Sequence, residues 1–140
     1  MFNLSAEDRI IYWRRFRIDL PKQNTLQCLE SVAQLWATAP MSGQFLAPDL
    51  PETWPTAWEL LSDNYYDDVG LALGMYYTLY YSEIFSPDDI IYTVYKQNTE
   101  IINTVNIHTY VLNFNHGAVV DRKHIELSPI FQYNSEDIKT

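Results

Sequence analysis

Residues 67 to 83, DDVGLALGMYYTLYYSE, constrain the fold more than any other stretch of the chain. Two adjacent acids precede a run in which Val69, Ala72, Leu73, Tyr76, Leu79 and Tyr80 recur at helical spacing and form a wide apolar face. Carboxylates are favoured in a first helical turn, where backbone N–H groups lack partners and the dipole is positive. Asn64 is a good capping residue type, so the reading starts the helix there and puts Asp67 and Asp68 in its first turn. Gly70, Gly74 and Thr78 line an i, i+4 ridge of small residues. Each helical glycine costs about 1 kcal/mol relative to alanine, so the ridge predicts another backbone lying very close. A helix of this kind belongs at the centre of a domain, and everything else must cover it.

The covering elements follow from period and punctuation. NLSAEDRIIYWRRFRIDL offers Ser5 as a cap and sets Ile10, Trp13, Phe16 and Leu20 on one side, with arginines opposite, until Pro21. TLQCLESVAQLWATAP gives a second helix through Leu29, Val32, Ala33 and Trp36, stopped by Pro40, so residues 1–40 read as a helical hairpin. Residues 41–56 are rich in proline yet carry Phe45, Leu46, Leu50 and Trp54, which predicts an ordered crossing segment rather than a free linker. Thr56 and Glu59 form a T-x-x-E capping box that restarts helix, with Trp58 and Leu61 as buried candidates. Past Pro87 the period changes: IIYTVYK (90–96), TVNIHTYVLNF (104–114) and AVVD after the NHG turn read as strands. The expected fold class is α+β: an N-terminal helical hairpin, then a central helix packed on an antiparallel sheet of three to four strands. The whole chain, 1–140, forms one domain, with an α+β core over 57–125 and a C-terminal tail over 126–140 that lies on its own domain or serves as a docking arm.

Composition excludes several function classes. The net charge is −9, unevenly spread: residues 1–22 are net positive through Arg9, Arg14, Arg15, Arg17 and Lys22, whereas Lys96 alone opposes eleven acids between Glu30 and Glu100. Such a body repels nucleic acid unless it imitates it. No apolar run approaches the roughly 20 residues that span a bilayer, and no signal-peptide pattern opens the chain. The lone Cys28 excludes an internal disulfide framework and reads as a small core residue of a protein kept in a reducing compartment. His108, His116 and His124 recur every eight residues, which is not a metal-ligand spacing, and no glycine loop could cradle a phosphate, so neither metal nor cofactor is expected. Adjacent acids on a helix diverge by about 100°, so Asp67 and Asp68 are not a glycosidase pair.

Three short words carry a resemblance. YDD (Tyr66, Asp67, Asp68) at a helix start, HTYV (from His108) in a strand and VVD (Asp121) at the next resemble the transglutaminase-like branch of the papain-like cysteine hydrolases, over roughly residues 57–122. That family's core reads C-x-D, then H-A-[WY]-V, then Asp. Tyr66 stands where the resemblance expects the nucleophilic cysteine, and a phenol with a pKa near 10 does not replace a thiolate activated by histidine. The resemblance therefore implies a degenerate site in which Tyr66, Asp67, His108 and Asp121 are relics and no residue is catalytic. A second resemblance, through WATAP (36–40), WPTAWELL (54–61), LALGMYYTL (71–79) and YVLNF (110–114), is to small proteins of tailed bacteriophages. It implies the cytoplasm of an infected bacterial cell, or a virion.

The function expected from these readings is protein–protein interaction, as a phage assembly or accessory component. The partners would be phage structural proteins or further copies of the chain. The contact residues would be Arg14, Arg15, Arg17, Trp54, Trp58, Phe131 and Tyr133. The alternatives are an inhibitor or DNA mimic acting through the acidic middle, and a hydrolase or transferase with a transglutaminase-like site.

Overall fold

The computed structural model describes residues 1–140. Four helices, α1 (Ala6–Ile18), α2 (Thr25–Ala37), α3 (Ala57–Asp63) and α4 (Asp68–Ser82), precede five strands: β1 (Ile90–Gln97), β2 (Glu100–Ile107), β3 (Tyr110–Leu112), β4 (Val119–Asp121) and β5 (Pro129–Tyr133). The strands form one antiparallel sheet in the order β4-β3-β2-β1-β5. This is the expected α+β arrangement, with the fifth strand supplied by the C-terminal tail.

α4 is central, as its composition demands. Every residue from Val69 to Leu79 is buried, and α4 packs on β1 and β2 while α1, α2 and α3 cover it. The ridge of small residues serves a different purpose from the one expected. A Cβ on Gly74 would sit 2.4 Å from the Trp36 ring, so the glycine admits an indole from α2 and not a second backbone. Four residues on, Thr78 Oγ1 accepts hydrogen bonds from Trp13 Nε1 and Trp36 Nε1, both at 2.9 Å, and donates to the Gly74 carbonyl at 2.7 Å. One buried hydroxyl thus fixes α1 and α2 on α4.

Local chemistry accounts for the other elements. Ser5 and Asn24 cap α1 and α2, and the Thr56–Glu59 capping box opens α3. Asn64 is not the cap of α4. It ends α3 in the left-handed region (φ 52°), donating its N–H to Leu60 and its side-chain amide to the Phe2 carbonyl. Arg9 is buried, its guanidinium donating to the carbonyls of Leu4, Leu61 and Ser62.

The expected strand over 104–114 is two strands. His108 (φ 53°) and Thr109 form a two-residue turn between Ile107 and Tyr110, just as Asn98 (φ 57°) and Thr99 turn between Gln97 and Glu100. On the face toward α4 the sheet presents Ile90, Tyr92 and Val94 from β1, and Asn103, Val105 and Ile107 from β2. Asn103 is the one polar member of that row.

The crossing segment and the tail close on the domain. Trp54 is fully buried against Tyr92 and Tyr133, with its indole donating to Ala47, and Tyr133 donates to Pro48. β5 pairs with β1, Ile138 enters the core, and Tyr81 donates to the Thr140 carbonyl.

Candidate functional site

The head of α4 is where the resemblance locates reactive groups, and each residue there has an identifiable task. Asp67 is 1 % exposed and is the true N-cap of α4. Its Oδ1 accepts from the Gly70 N–H at 2.8 Å, and its Oδ2 accepts from Phe45 and Leu46 at 3.0 and 2.7 Å. Three backbone donors occupy this carboxylate, which ties the crossing segment to the central helix. An extended pairing between Met41 and Tyr66, with the Ser42 N–H donating to the Tyr66 carbonyl, secures the same junction.

Tyr66 points away from solvent. Its ring lies edge-on to Phe2 and Trp36, with centroids 5.4 and 5.6 Å away, and its hydroxyl is buried without a hydrogen-bond partner. Burial pushes this phenol far above its ordinary range, outweighing the opposing effect of nearby Arg9. A hydroxyl that stays protonated and has no base within reach cannot act as a nucleophile.

A cleft of about 180 Å³ opens between the first turn of α4 (Asp68, Leu71), the start of β2 (Glu100 to Asn103) and the segment after β3 (Asn113, Phe114, His116). Asn103 is 4 % exposed; its Oδ1 accepts from the Tyr92 hydroxyl at 3.0 Å, and its carbonyl accepts from Asn113 Nδ2 at 2.9 Å. Asn113, at φ 69°, completes the corner. His116 lies 3.1 Å through Nε2 from the Ala37 carbonyl, so that nitrogen carries the proton and is spent on α2. Where the resemblance expects an imidazole facing the helix start from one strand and a carboxylate from the next, β2 presents the Asn103 amide and the segment after β3 presents the Asn113 amide, with His116 at the rim turned to Ala37. Carboxamides neither take nor give a proton near neutral pH.

His108 and Asp121 are elsewhere. Five residues separate His108 from Asn103, roughly 16 Å along an extended chain, and it occupies the turn at the far end of β2, half exposed and 3.4 Å from Asp89. Asp121 pairs with Tyr110 at that same far end and accepts from the Lys123 N–H. The fold therefore brings Tyr66, Asp67 and Asp68 together and leaves His108 and Asp121 apart from them. Nothing in the words HTYV and VVD could reveal this, because the turn at 108–109 shifts every later residue along the sheet. The signal for Asn103 was present: it breaks the apolar alternation that continues through Val105 and Ile107.

The other expected contact residues divide by exposure. Arg14, Arg15, Trp58 and Phe131 are exposed and Tyr133 is partly so, whereas Trp54 is a core residue. Arg17 is occupied internally, its guanidinium 4.0 Å over the Trp13 ring and donating to the Tyr81 carbonyl. Cys28 is fully buried in α2, and burial raises its thiol to about 11. Of the acids in 49–68, Asp67 is enclosed, and Glu59 is exposed while closing the capping box of α3. No three His, Cys, Asp or Glu side chains converge, and no helix is long and apolar enough to cross a membrane.

No family model matches the sequence, and no curated protein does. Solved structures of LapG from Legionella pneumophila, a transglutaminase-like cysteine protease, are similar to it. One matches with a TM-score of 0.75 at 16 % identity, over 93 % of this chain and 76 % of LapG. The calcium-bound form gives 0.74 at 16 % over 96 % and 78 %. The EGTA-treated form gives 0.75 at 16 % over 93 % and 74 %. At this identity the likeness speaks to architecture alone, and the architecture is the transglutaminase-like, papain-like α+β fold.

Proposed function

We propose that this chain is a non-catalytic protein–protein interaction component built on a transglutaminase-like fold. The observation that carries the reading is the set of groups at the head of α4: Tyr66 is sealed between aromatic rings, and Asn103 and Asn113 face the cleft as amides. Thiolate chemistry of this fold needs a nucleophile, a base and an orienting acid within reach of one another. The single thiol lies in α2 and is held protonated.

The interaction half of the reading draws on Arg14 and Arg15, which are exposed and have no hydrogen-bond or ion-pair partner within the chain, and on exposed Trp58 and Phe131. The narrower form, a virion assembly or accessory component of a tailed bacteriophage, draws on sequence resemblance alone. The rival reading, a hydrolase or transferase, draws on the likeness to LapG.

Incubation of the purified chain with a complex peptide mixture, read by mass spectrometry, separates the two. No product should form in excess of the protein. Multiple-turnover cleavage or acyl transfer that disappears in Asn103→Ala would overturn the proposal. In the native source, tagged protein should recover a defined partner that R14E/R15E does not.

A further inference from the structure

We infer that the cleft at the head of α4 binds an arginine side chain presented by a partner protein. This deepens the interaction reading and rests on it, because a cleft that no longer turns substrate over is free to hold one group permanently.

The cavity, about 180 Å³, is smaller than the roughly 300–1,000 Å³ of pockets that take whole small molecules and suits a single side chain. Asp68 lines it from the first turn of α4 and Glu100 from the start of β2. Both are exposed, and neither is in an ion pair, because the only pair in the molecule is His108–Asp89 at the far end of the sheet. No lysine or arginine of the chain lines the cavity. Two free carboxylates on a body of net charge −9 repel an anionic ligand and attract a cation. A metal ion is not provided for: His116 also lines the cavity, but its Nε2 is engaged by the Ala37 carbonyl, and no three His, Cys, Asp or Glu side chains are placed to hold one.

Asn103 supplies an independent indication. It is more than nine-tenths buried, and its Oδ1 is taken by Tyr92, yet its Nδ2 makes no hydrogen bond within the chain. That nitrogen is not sealed from solvent, and the opening beside Asn103 is the cleft. A side-chain donor held in the core row of a sheet and unpaired within the chain is open to an acceptor that enters the cleft, and a main-chain carbonyl of a bound polypeptide is one. Asn113 spends its Nδ2 on Asn103 and keeps its amide oxygen as an acceptor. The site therefore offers two carboxylates and an amide oxygen to a donor-rich head group, one amide donor to a peptide carbonyl, and Leu71 and Phe114 as apolar walls. A guanidinium, with five N–H donors in a plane and a weakly hydrated face that stacks on an aromatic ring, is the side chain that fits all of these.

The test is a titration of the ¹⁵N-labelled full chain with a blocked arginine dipeptide and with its neutral citrulline counterpart, which keeps the shape and loses the charge. Arginine should give saturable shifts at the amides of Leu71, Asn103, Asn113 and Phe114, and citrulline should bind at least about tenfold more weakly. D68N and E100Q, both at exposed positions and therefore compatible with folding, should each weaken the arginine response. Absence of saturable shifts at these amides, or equal affinity for citrulline, overturns the inference. The same samples are read by mass: intact dipeptide without shifts removes only this inference, whereas a hydrolysed or transferred product removes the non-catalytic reading beneath it.

Discussion

Thr78→Val is the substitution that tests the core of this molecule most directly. Valine keeps the branched shape but removes the oxygen on which Trp13 and Trp36 both terminate. Both indoles are 1 % exposed and Thr78 is fully buried, so neither N–H can recover a partner from water. An unpaired buried donor costs about 1–3 kcal/mol, which for two donors is about 2–6 kcal/mol. The added methyl group regains somewhat under 1 kcal/mol if it packs without strain. A net loss of about 3 kcal/mol is expected, a large share of the roughly 5–15 kcal/mol that holds a domain together. Thr78→Ser keeps the acceptor and loses only a methyl group, at about 1 kcal/mol. Urea unfolding followed by tryptophan fluorescence and by circular dichroism reads the difference. With a slope of about 2 kcal/mol per molar, T78V should unfold about 1.5 M earlier than the parent and T78S about 0.5 M earlier. If T78V is no less stable than T78S, the shared hydroxyl is not what holds the two indoles, and the account of how α1 and α2 seat on α4 fails.

Two further outcomes follow from the head of α4 and from the buried phenols. Asp67→Ala strands three backbone donors and should cost about 3–5 kcal/mol, combining loss of an N-cap with loss of charge-assisted bonds to Phe45 and Leu46; hydrogen exchange should rise first at the amides of residues 45 and 46. At alkaline pH the sign is set by raised pKa values: burial holds the Cys28 thiol at about 11 and lifts the phenols of Tyr66, Tyr76, Tyr77 and Tyr92 above their usual range. The folded chain keeps these protons after the unfolded chain has shed them, so their contribution is whole below about pH 9 and declines as pH rises through 9 to 11 and beyond. Spectrophotometric titration should show the buried tyrosines ionising only as the circular dichroism signal collapses, and smooth ionisation with the fold intact would refute the assignment.

Much of this fold is legible in the residue pattern, and the misreadings share one cause. α1, α2 and the capping box of α3 follow from caps, prolines and apolar spacing that local chemistry fixes. Asn64 and Asp67 are both capping types, and only the left-handed backbone at Asn64 decides between them. The ridge of Gly74 and Thr78 announces a close approach, but not that the approaching group is an indole. The hairpin turns at Asn98–Thr99 and His108–Thr109 contain no glycine, and threonine in second place looks like strand, so two strands fuse into one in the sequence. That fusion is what misplaces the site. Counted from the true turn, the residues opposite α4 are Asn103 and Asn113, whose amides carry no titratable chemistry and attract no notice in a search for acids, bases and nucleophiles.

The single ion pair has a consequence for how the protein meets its surroundings. Of eighteen acids, Asp89 alone lies within ion-pair distance of a basic side chain, and that side chain is a half-exposed histidine. Dissolved electrolyte therefore has almost no attraction to weaken within the molecule, and a net −9 of mutual repulsion to quiet. Raising ionic strength from a few millimolar to physiological levels makes the folded state firmer, while loosening any contact that another molecule makes through Arg14, Arg15 or the acids at the head of α4. Fold and association answer to salt in opposite directions, so a dilute buffer that best preserves a complex is also the one in which the free chain is least secure.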